Sequence, residues 1–470
     1  MKMVYNVKDK PPFGKMLVYA LQQMLAILAA TIAVPAIVGN GMSQAAALFG
    51  AGVGTLVYQL FTRFKSPVFL GSSFAFLGSM AAAFAGGVSM QLGYLGLIIG
   101  AVFAGLVYVI IALIVKKCGS EWVNKLMPAV VIGPTVAIIG LSLAGNAIGD
   151  LVNHVAQDSN GNYVMNLNGG ICLICGLVTL FATIAASVYG GKNIKLIPFI
   201  IGIVAGYIVA TIFTLIGTFA NIDALKIIDF TKFQNMQWLP DFTFIEAVKG
   251  FKEINGAYIG TIAVAYVPVA FVVFAEHIAD HKNLSSIIES DLLKKGNPGL
   301  DNTLLGDGVG SMAGAIFGGC PNTTYGESVG CVAITGNASV ATITTTAFVC
   351  IIAAFVAPFV TLLATIPSCV MGGVCIALYG FIAVSGLKMV QKVDLEDSGN
   401  LFTVSAILIA GIGGLSLKFG QITITEIACA LIVGILVNVF CKAFKKKEAK
   451  AETVTETAKD EAAATEEENK

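Results

Sequence analysis

Long apolar stretches separated by short polar connections run through most of the chain, and a helix needs roughly 20 mostly apolar residues to cross a hydrocarbon layer. Fourteen segments fit that template. In the first half they lie at 17–38, 45–61, 68–86, 93–115, 127–147, 170–189 and 197–218, and in the second at 258–279, 303–319, 323–340, 342–366, 372–391, 400–417 and 421–444. The N-terminus is polar through Lys15, and no small-residue cleavage site follows the first apolar run, so that run reads as a permanent span and not a removable signal. From Lys445 the pattern stops, and a lysine run passes into an Ala/Glu/Thr tail too polar to bury.

Two of the fourteen are poor helices. Residues 67–80 and 321–335 carry Pro, Gly and Ser or Thr punctuation inside otherwise apolar sequence. Non-helical backbone at membrane depth persists only where protein or a water-filled cavity satisfies it. Interrupted spans at corresponding positions of two halves point to a transporter site. They are the third and tenth segments, each third in a set of seven, and an odd number of spans per repeat inverts the second repeat in the membrane. The expected fold is therefore an all-α polytopic membrane protein of two inverted repeats of seven.

Charge position orients the spans. With the N-terminus inside, the inward loops collect Arg63 and Lys65, Lys116 and Lys117, Lys192 and Lys195, Lys282, Lys294 and Lys295, Lys388 and Lys392, and the lysines at 445–447. Lys and Arg favour the cytoplasmic side, which places both termini there. The exceptions are the outward segment 219–257, with four lysines balanced by acids, and Lys418.

Composition agrees with a lipid solvent: 56% of residues are hydrophobic and 12% charged, against roughly 45–50% and 25% in soluble domains. The 52 glycines suit helices that approach closely without a hydrophobic force between them. A formal net charge of zero supplies no field for nucleic acid. The ten cysteines lack disulfide or zinc spacing, and Cys172 and Cys175, although a CxxC, sit in an apolar run and read as packing residues.

Against this background Glu276 and Glu327 stand out, one after the apolar run 266–275 and one in the interrupted tenth segment. An ionised carboxylate at that depth costs several kcal/mol, of order 3 for Asp. The structural alternative for each is a protonated carboxyl or a cap on a broken helix, and one acid in each half of the presumed site argues against it. Asp280 lies one helical turn from Glu276 and shares its face, where it reads equally as a group that relays protons or tunes its neighbour and as a solvated charge at the membrane interface. His277 points about 100° away and reads as a packing or interfacial residue, and His281 reads as interfacial. The grouping matches no zinc-helix spacing such as HExxH. Half-helices that begin inside the membrane offer free N–H donors, carboxylates offer acceptors, and Phe74 and Tyr325 offer aromatic surface. The residues alone therefore indicate a small, planar, polar and neutral solute. A channel would want a continuous polar pore or a ring of charges, and a hydrolase would want GxSxG or HExxH; neither is present.

At these residues the chain resembles the nucleobase:cation symporter-2 family, or nucleobase–ascorbate transporters, in its bacterial uracil permease branch. The resembling stretches are Tyr266-Val-Pro-Val-Ala-Phe-Val-Val-Phe-Ala-Glu-His-Ile, Gly318-Gly-Cys-Pro-Asn-Thr-Thr-Tyr-Gly-Glu, Gly71-Ser-Ser-Phe-Ala-Phe and Met371-Gly-Gly-Val. The resemblance implies short antiparallel strands in the third and tenth spans with substrate between them. It also implies a core domain (spans 1–4 within 17–147, and 258–366) and a gate domain (the fifth span, ending at 147, then 148–257 with its extracellular loops, and 367–444). Residues 1–16 and a disordered tail 445–470 are then cytoplasmic. Glu276 and Glu327 would bond the pyrimidine, with backbone at Phe74 and Gly326 completing the contact and Tyr325 beside them. Proton coupling would fall to Glu276, Asp280 and His281, and the activity would be proton-coupled uracil import, with xanthine or uric acid as the rival substrate. The chain departs from the family at Asp280, where a His is common, at Ser328, where Asn is preferred, at Gly336, and at Gln22-Gln23, where a Gln-His pair is usual. Expected partners are uracil, a proton and membrane lipid, with a homodimer as a candidate assembly and no nucleic acid, cofactor or metal.

Overall fold

The computed structural model describes residues 3–119, 122, 128–419 and 422–443, so the expected tail at 445–470 lies outside the described residues. Helices dominate. In the first half they are α1 (Phe13–Val38), α2 (Gln44–Phe61), α3 (Leu77–Ala83), α4 (Met90–Cys118), α5 (Ala129–Ser142), α6 (Ala144–Leu151), α7 (Leu167–Tyr189), α8 (Pro198–Ala220) and α9 (Thr243–Gly250). In the second they are α10 (Gly256–Ile287), α11 (Leu300–Gly318), α12 (Gly326–Thr335), α13 (Val340–Ala353), α14 (Ala357–Ala364), α15 (Ser368–Val390), α16 (Ser398–Ile412) and α17 (Glu426–Ala443). Several starts are capped as their sequences dictate: Ser43, Ser89 and Asn255 accept the N–H of Ala46, Leu92 and Tyr258.

Among the described residues nine helices are long and apolar enough to span a membrane, and a tenth span arises if the bent pair α13–α14 is counted as one. That pair, expected as a single segment over 342–366, turns by 82°. Pro358 lies in the first turn of α14, where its missing N–H is harmless, and cannot continue α13. The segment expected at 400–417 is a 15-residue helix that ends at Ile412. Gly413 and Gly414 follow, the latter at φ +68°, and the chain turns into a hairpin of β3 (Leu417–Phe419) and β4 (Ile422–Ile424). Conversely, α10 continues past residue 279 to Ile287, a 32-residue helix. Large apolar side chains stand exposed on the outer faces, Phe181 and Ile208 among them, as a lipid solvent permits.

The helices pack in two groups. One is built from α1, α2, α4, α10, α11 and α13, with α2 against α11 its most extensive pairing; in the other, α15 packs on α5, α6 and α7, with α8 on α7 and α16 on α5. Two three-residue strands lie inside the first group, β1 (Leu70–Ser72) and β2 (Asn322–Thr324). They pair antiparallel with Leu70 opposite Thr324, Gly71 opposite Thr323 and Ser72 opposite Asn322. Asn322 wedges between α2 and α11, and its amide donates to the Gly50 carbonyl over 2.9 Å. A Cβ at Gly54 or Gly314 would run into that amide. Overpacking of this kind costs about 1–3 kcal/mol. Gly314→Ala is therefore expected to lower the thermal unfolding midpoint of the detergent-purified protein, whereas Ala at Gly145, which meets open space, leaves it unchanged.

Candidate functional site

The site grows out of the strand pair. Ser73 donates its N–H to Pro321 and Tyr325 to Phe69, extending the ribbon at both ends. Beyond β1 the chain enters a 3-10 turn at Phe74–Phe76 and then α3; beyond β2 it enters α12 at Gly326. Because the strands are antiparallel, the two helical segments leave opposite ends of the ribbon, and each exposes unpaired N–H groups there. Glu327 occupies the first turn of α12, where the helix dipole favours negative charge. The Tyr325 hydroxyl reaches back to donate to the Ser72 carbonyl at 2.7 Å, and its ring fills the space beside Gly71 that any side chain there would take.

A cavity of about 460 Å³ opens beside the ribbon, within the range of small-molecule sites. Glu276, Asp280 and Glu327 line one side together with Phe74, Tyr325 and Gly326. Both carboxylates on α10 share one helix face, and Asp280 Oδ2 accepts a 2.8 Å hydrogen bond from the Thr324 hydroxyl of β2. Across the cavity α5 and α15 contribute Val136, Ile139, Leu378, Phe381, Ile382 and Met389, with Ser385 the one hydroxyl these two helices add to the lining. Phe74 meets that side through Tyr379, edge to face at 5.9 Å. The cavity also reaches Lys195, Leu196 and Pro198 at the α7–α8 connection, where Lys195 is exposed.

All five residues expected to touch substrate, Glu276, Glu327, Phe74, Gly326 and Tyr325, line this one cavity, as does Asp280. His281 does not line it, and it is not interfacial either. Because α10 continues to Ile287, His277 and His281 are both fully buried, their rings stacked at 4.1 Å. His281 Nδ1 faces the His277 carbonyl at 2.8 Å and so carries a proton, and its Nε2 lies 2.7 Å from the Tyr58 hydroxyl. His277 Nε2 meets the Thr303 hydroxyl, which itself donates to Leu300, so Nε2 is a donor. Its Nδ1 lies 2.6 Å from Asp307 Oδ2. One proton is therefore shared between His277 and Asp307, and neither side chain has any exposure. Sequence reasoning passed over Asp307, although a lone carboxylate in the glycine-rich run 303–319 is the same signal that drew attention to Glu327.

The departures at Gln23 and Ser328 meet. Gln23 Nε2 donates to Ser328 Oγ, which also accepts the Phe69 N–H at 3.1 Å. These contacts tie α1, the approach to β1 and the residue after Glu327 into one node. Cys172 and Cys175 are buried in α7 as free thiols, in the packing position expected of them.

This geometry belongs to a membrane permease: the chain is a member of the Permease family, whose model matches residues 14–419. It is similar to the uracil permease of Bacillus caldolyticus, at 39% identity over 93% of this chain and 94% of that one. The uracil permease of Bacillus subtilis is 36% identical over 95% and 97%, and that of Escherichia coli K12 31% identical over 93% and 94%. Among solved structures it shares its fold with the transmembrane domain of the cyanobacterial bicarbonate transporter BicA, at a TM-score of 0.59, 15% identity and coverage of 92% of this chain and 100% of that chain. It shares the fold also with the murine anion transporter Slc26a9 in the inward-facing state, at a TM-score of 0.64, 12% identity and coverage of 93% and 69%.

Breaking a buried pair by removing one partner costs about 3–5 kcal/mol, while replacing both by apolar residues is often neutral. Asp307→Ala is expected to collapse the thermal midpoint of the purified protein, and His277→Phe with Asp307→Leu to recover much of the loss; equal loss in both would show that the pair does more than hold α10 to α11.

Proposed function

We propose that this chain is a proton-coupled uracil symporter that works by alternating access. The observation that carries the reading is the conjunction of two things: relatives named uracil permease that match over almost the full length, and a cavity lined by Glu276, Asp280 and Glu327 together with the strand-to-helix turns at Phe74 and Gly326. A pyrimidine-dione presents alternating N–H and C=O groups on one planar ring. Glu327 and the backbone at Phe74 and Gly326 fix that edge, and Glu276 bonds substrate and carries the coupled proton. Asp280 stands next on the same face, with His281 behind it. The relatives' names give a purine-dione no comparable support.

Fourteen crossings in two inverted sevens accommodate the elements, with α5–α6, α13–α14 and each strand–helix unit counted as one crossing and α9 lying outside the count. Support comes from the strand followed by a half-helix in third place in each half, and from the antiparallel pairing of those strands. The group containing α2, α10 and α11 acts as the core and the group containing α5, α7 and α15 as the gate, moving against each other across the apolar wall. The reach of the cavity to Lys195, in a basic and therefore cytoplasmic connection, supports an inward-open arrangement with both termini inside.

In proteoliposomes, labelled uracil uptake is expected to rise with an inward proton gradient and to be competed by 5-fluorouracil but not xanthine; strong inhibition by xanthine and none by pyrimidines would reverse the substrate assignment. Glu276→Gln should abolish uptake or make it indifferent to the gradient. Gradient-driven uptake persisting in that variant would move coupling to another group.

A further inference from the structure

Half-helix α12 has ten residues, only about three turns, so its own length does little to fix its direction. What holds its two ends therefore decides where Glu327 sits. The N-terminal end is held by the ribbon. The C-terminal end is held by residues 3–9.

That segment runs parallel to the connection between α12 and α13, with Tyr5 bridged to Asn337. The N–H groups of Val4 and Tyr5 both donate to the Gly336 carbonyl, at 2.8 and 3.2 Å. Ala338 and Val340 donate theirs to the Tyr5 and Val7 carbonyls, at 2.9 and 3.1 Å, and the Ser339 hydroxyl donates to the Asp9 carbonyl. Gly336 is the left-handed cap of α12, at φ +68°, so the bonds fall where the half-helix stops. Side chains reinforce them: Met3 and Val7 pack on a buried cluster that includes Val329 and Val332 of α12, Leu70 of β1 and Tyr58 of α2. Tyr5 stands edge-on to Tyr19 of α1 at 6.0 Å. The arrangement splits α12 by face. Glu327, Gly330, Cys331 and Ile334 look into the cavity, while Val329 and Val332 look toward the cluster that the segment covers.

We infer that residues 3–9 are a positioning strap for the substrate site: they clamp the far end and the rear face of α12 and so fix Glu327 and Gly326 relative to β1 and α10. The strap touches no substrate. Its effect is on how tightly the half-helix is held, and hence on apparent substrate affinity more than on the maximal rate. This rests on the proposed site for its transport consequence, while its structural consequence stands without any ligand.

The test is the full-length Val4→Pro/Tyr5→Pro variant, which deletes both donors to Gly336 and leaves every cavity residue in place, with Ser339→Ala as a milder second variant. Amide hydrogen exchange in residues 326–336 of ligand-free protein is expected to rise about tenfold or more, with exchange in α2 and α11 unchanged. Uracil KM should rise several-fold with the maximal rate largely kept. Unchanged exchange at 326–336 in both variants would overturn the strap. So would exchange that rises equally in α2 and α11, or a proline variant that yields no folded protein while Ser339→Ala behaves as wild type; those outcomes mark a general folding element. Wild-type protein that transports no uracil would sink the functional reading and leave the exchange result to decide the strap.

Discussion

Extended backbone inside an apolar bundle has no water to bond, and the pairing of β1 with β2 is what makes it tolerable. The ribbon's outward groups are met by side chains placed for them. Thr55 of α2 both donates to the Leu70 carbonyl and accepts its N–H. Ser328 takes the Phe69 N–H, and Asn322 anchors β2 to Gly50. Once the strands are satisfied, the helical segments that follow can begin at depth and present their free N–H groups to a cavity. Each of the close helix contacts around Asn322 follows from that requirement, since a wedge of amide between α2 and α11 leaves room only for glycine.

Two polar systems sit on α10 and serve different ends. Glu276 and Asp280 face the cavity, while His277 and His281 face away from it into the bundle. The second system turns inward: its rings, Tyr58, Thr303 and Asp307 bond mainly to one another, with Ser66 at one end and Asp307 Oδ1 buried without a hydrogen-bond partner among the described residues. It ties α10 to α2 and α11, and so gives the cavity-facing carboxylates a rigid support.

Much of this was legible in the chain. The apolar segments follow from length and polarity alone, and the Pro, Gly and Thr interruptions at 67–80 and 321–335 marked where helix would fail. Glu276 and Glu327 were legible because charge is rare at depth, and Asp280 because it lies one helical turn from Glu276. The extent of α10 was not, because Asp280, His281 and Lys282 read as an interface until their burial partners on other helices are known. Asp307 needed His277 opposite it to acquire meaning. The 82° turn of α13–α14 and the pairing of residues 4–7 with 336–340 leave still less trace. Backbone pairing between distant segments imposes no pattern on side chains, and a bend is set by where the neighbours stand.

The lining of the cavity is lopsided, and that has a kinetic meaning. On the proposed site, the hydrogen-bonding groups offered to a planar solute lie mostly on the ribbon, α10 and α12, while α5 and α15 present chiefly apolar surface, with Ser385 their one hydroxyl. Dispersion contacts have no preferred register, so a ligand gripped on one side can glide past the other with its hydrogen bonds unbroken. On the proposed cycle, the barrier to passage then lies in repacking aliphatic side chains such as Leu378 and Ile382, and a bulkier residue there would act as friction on a bearing surface, slowing turnover without loosening the grip.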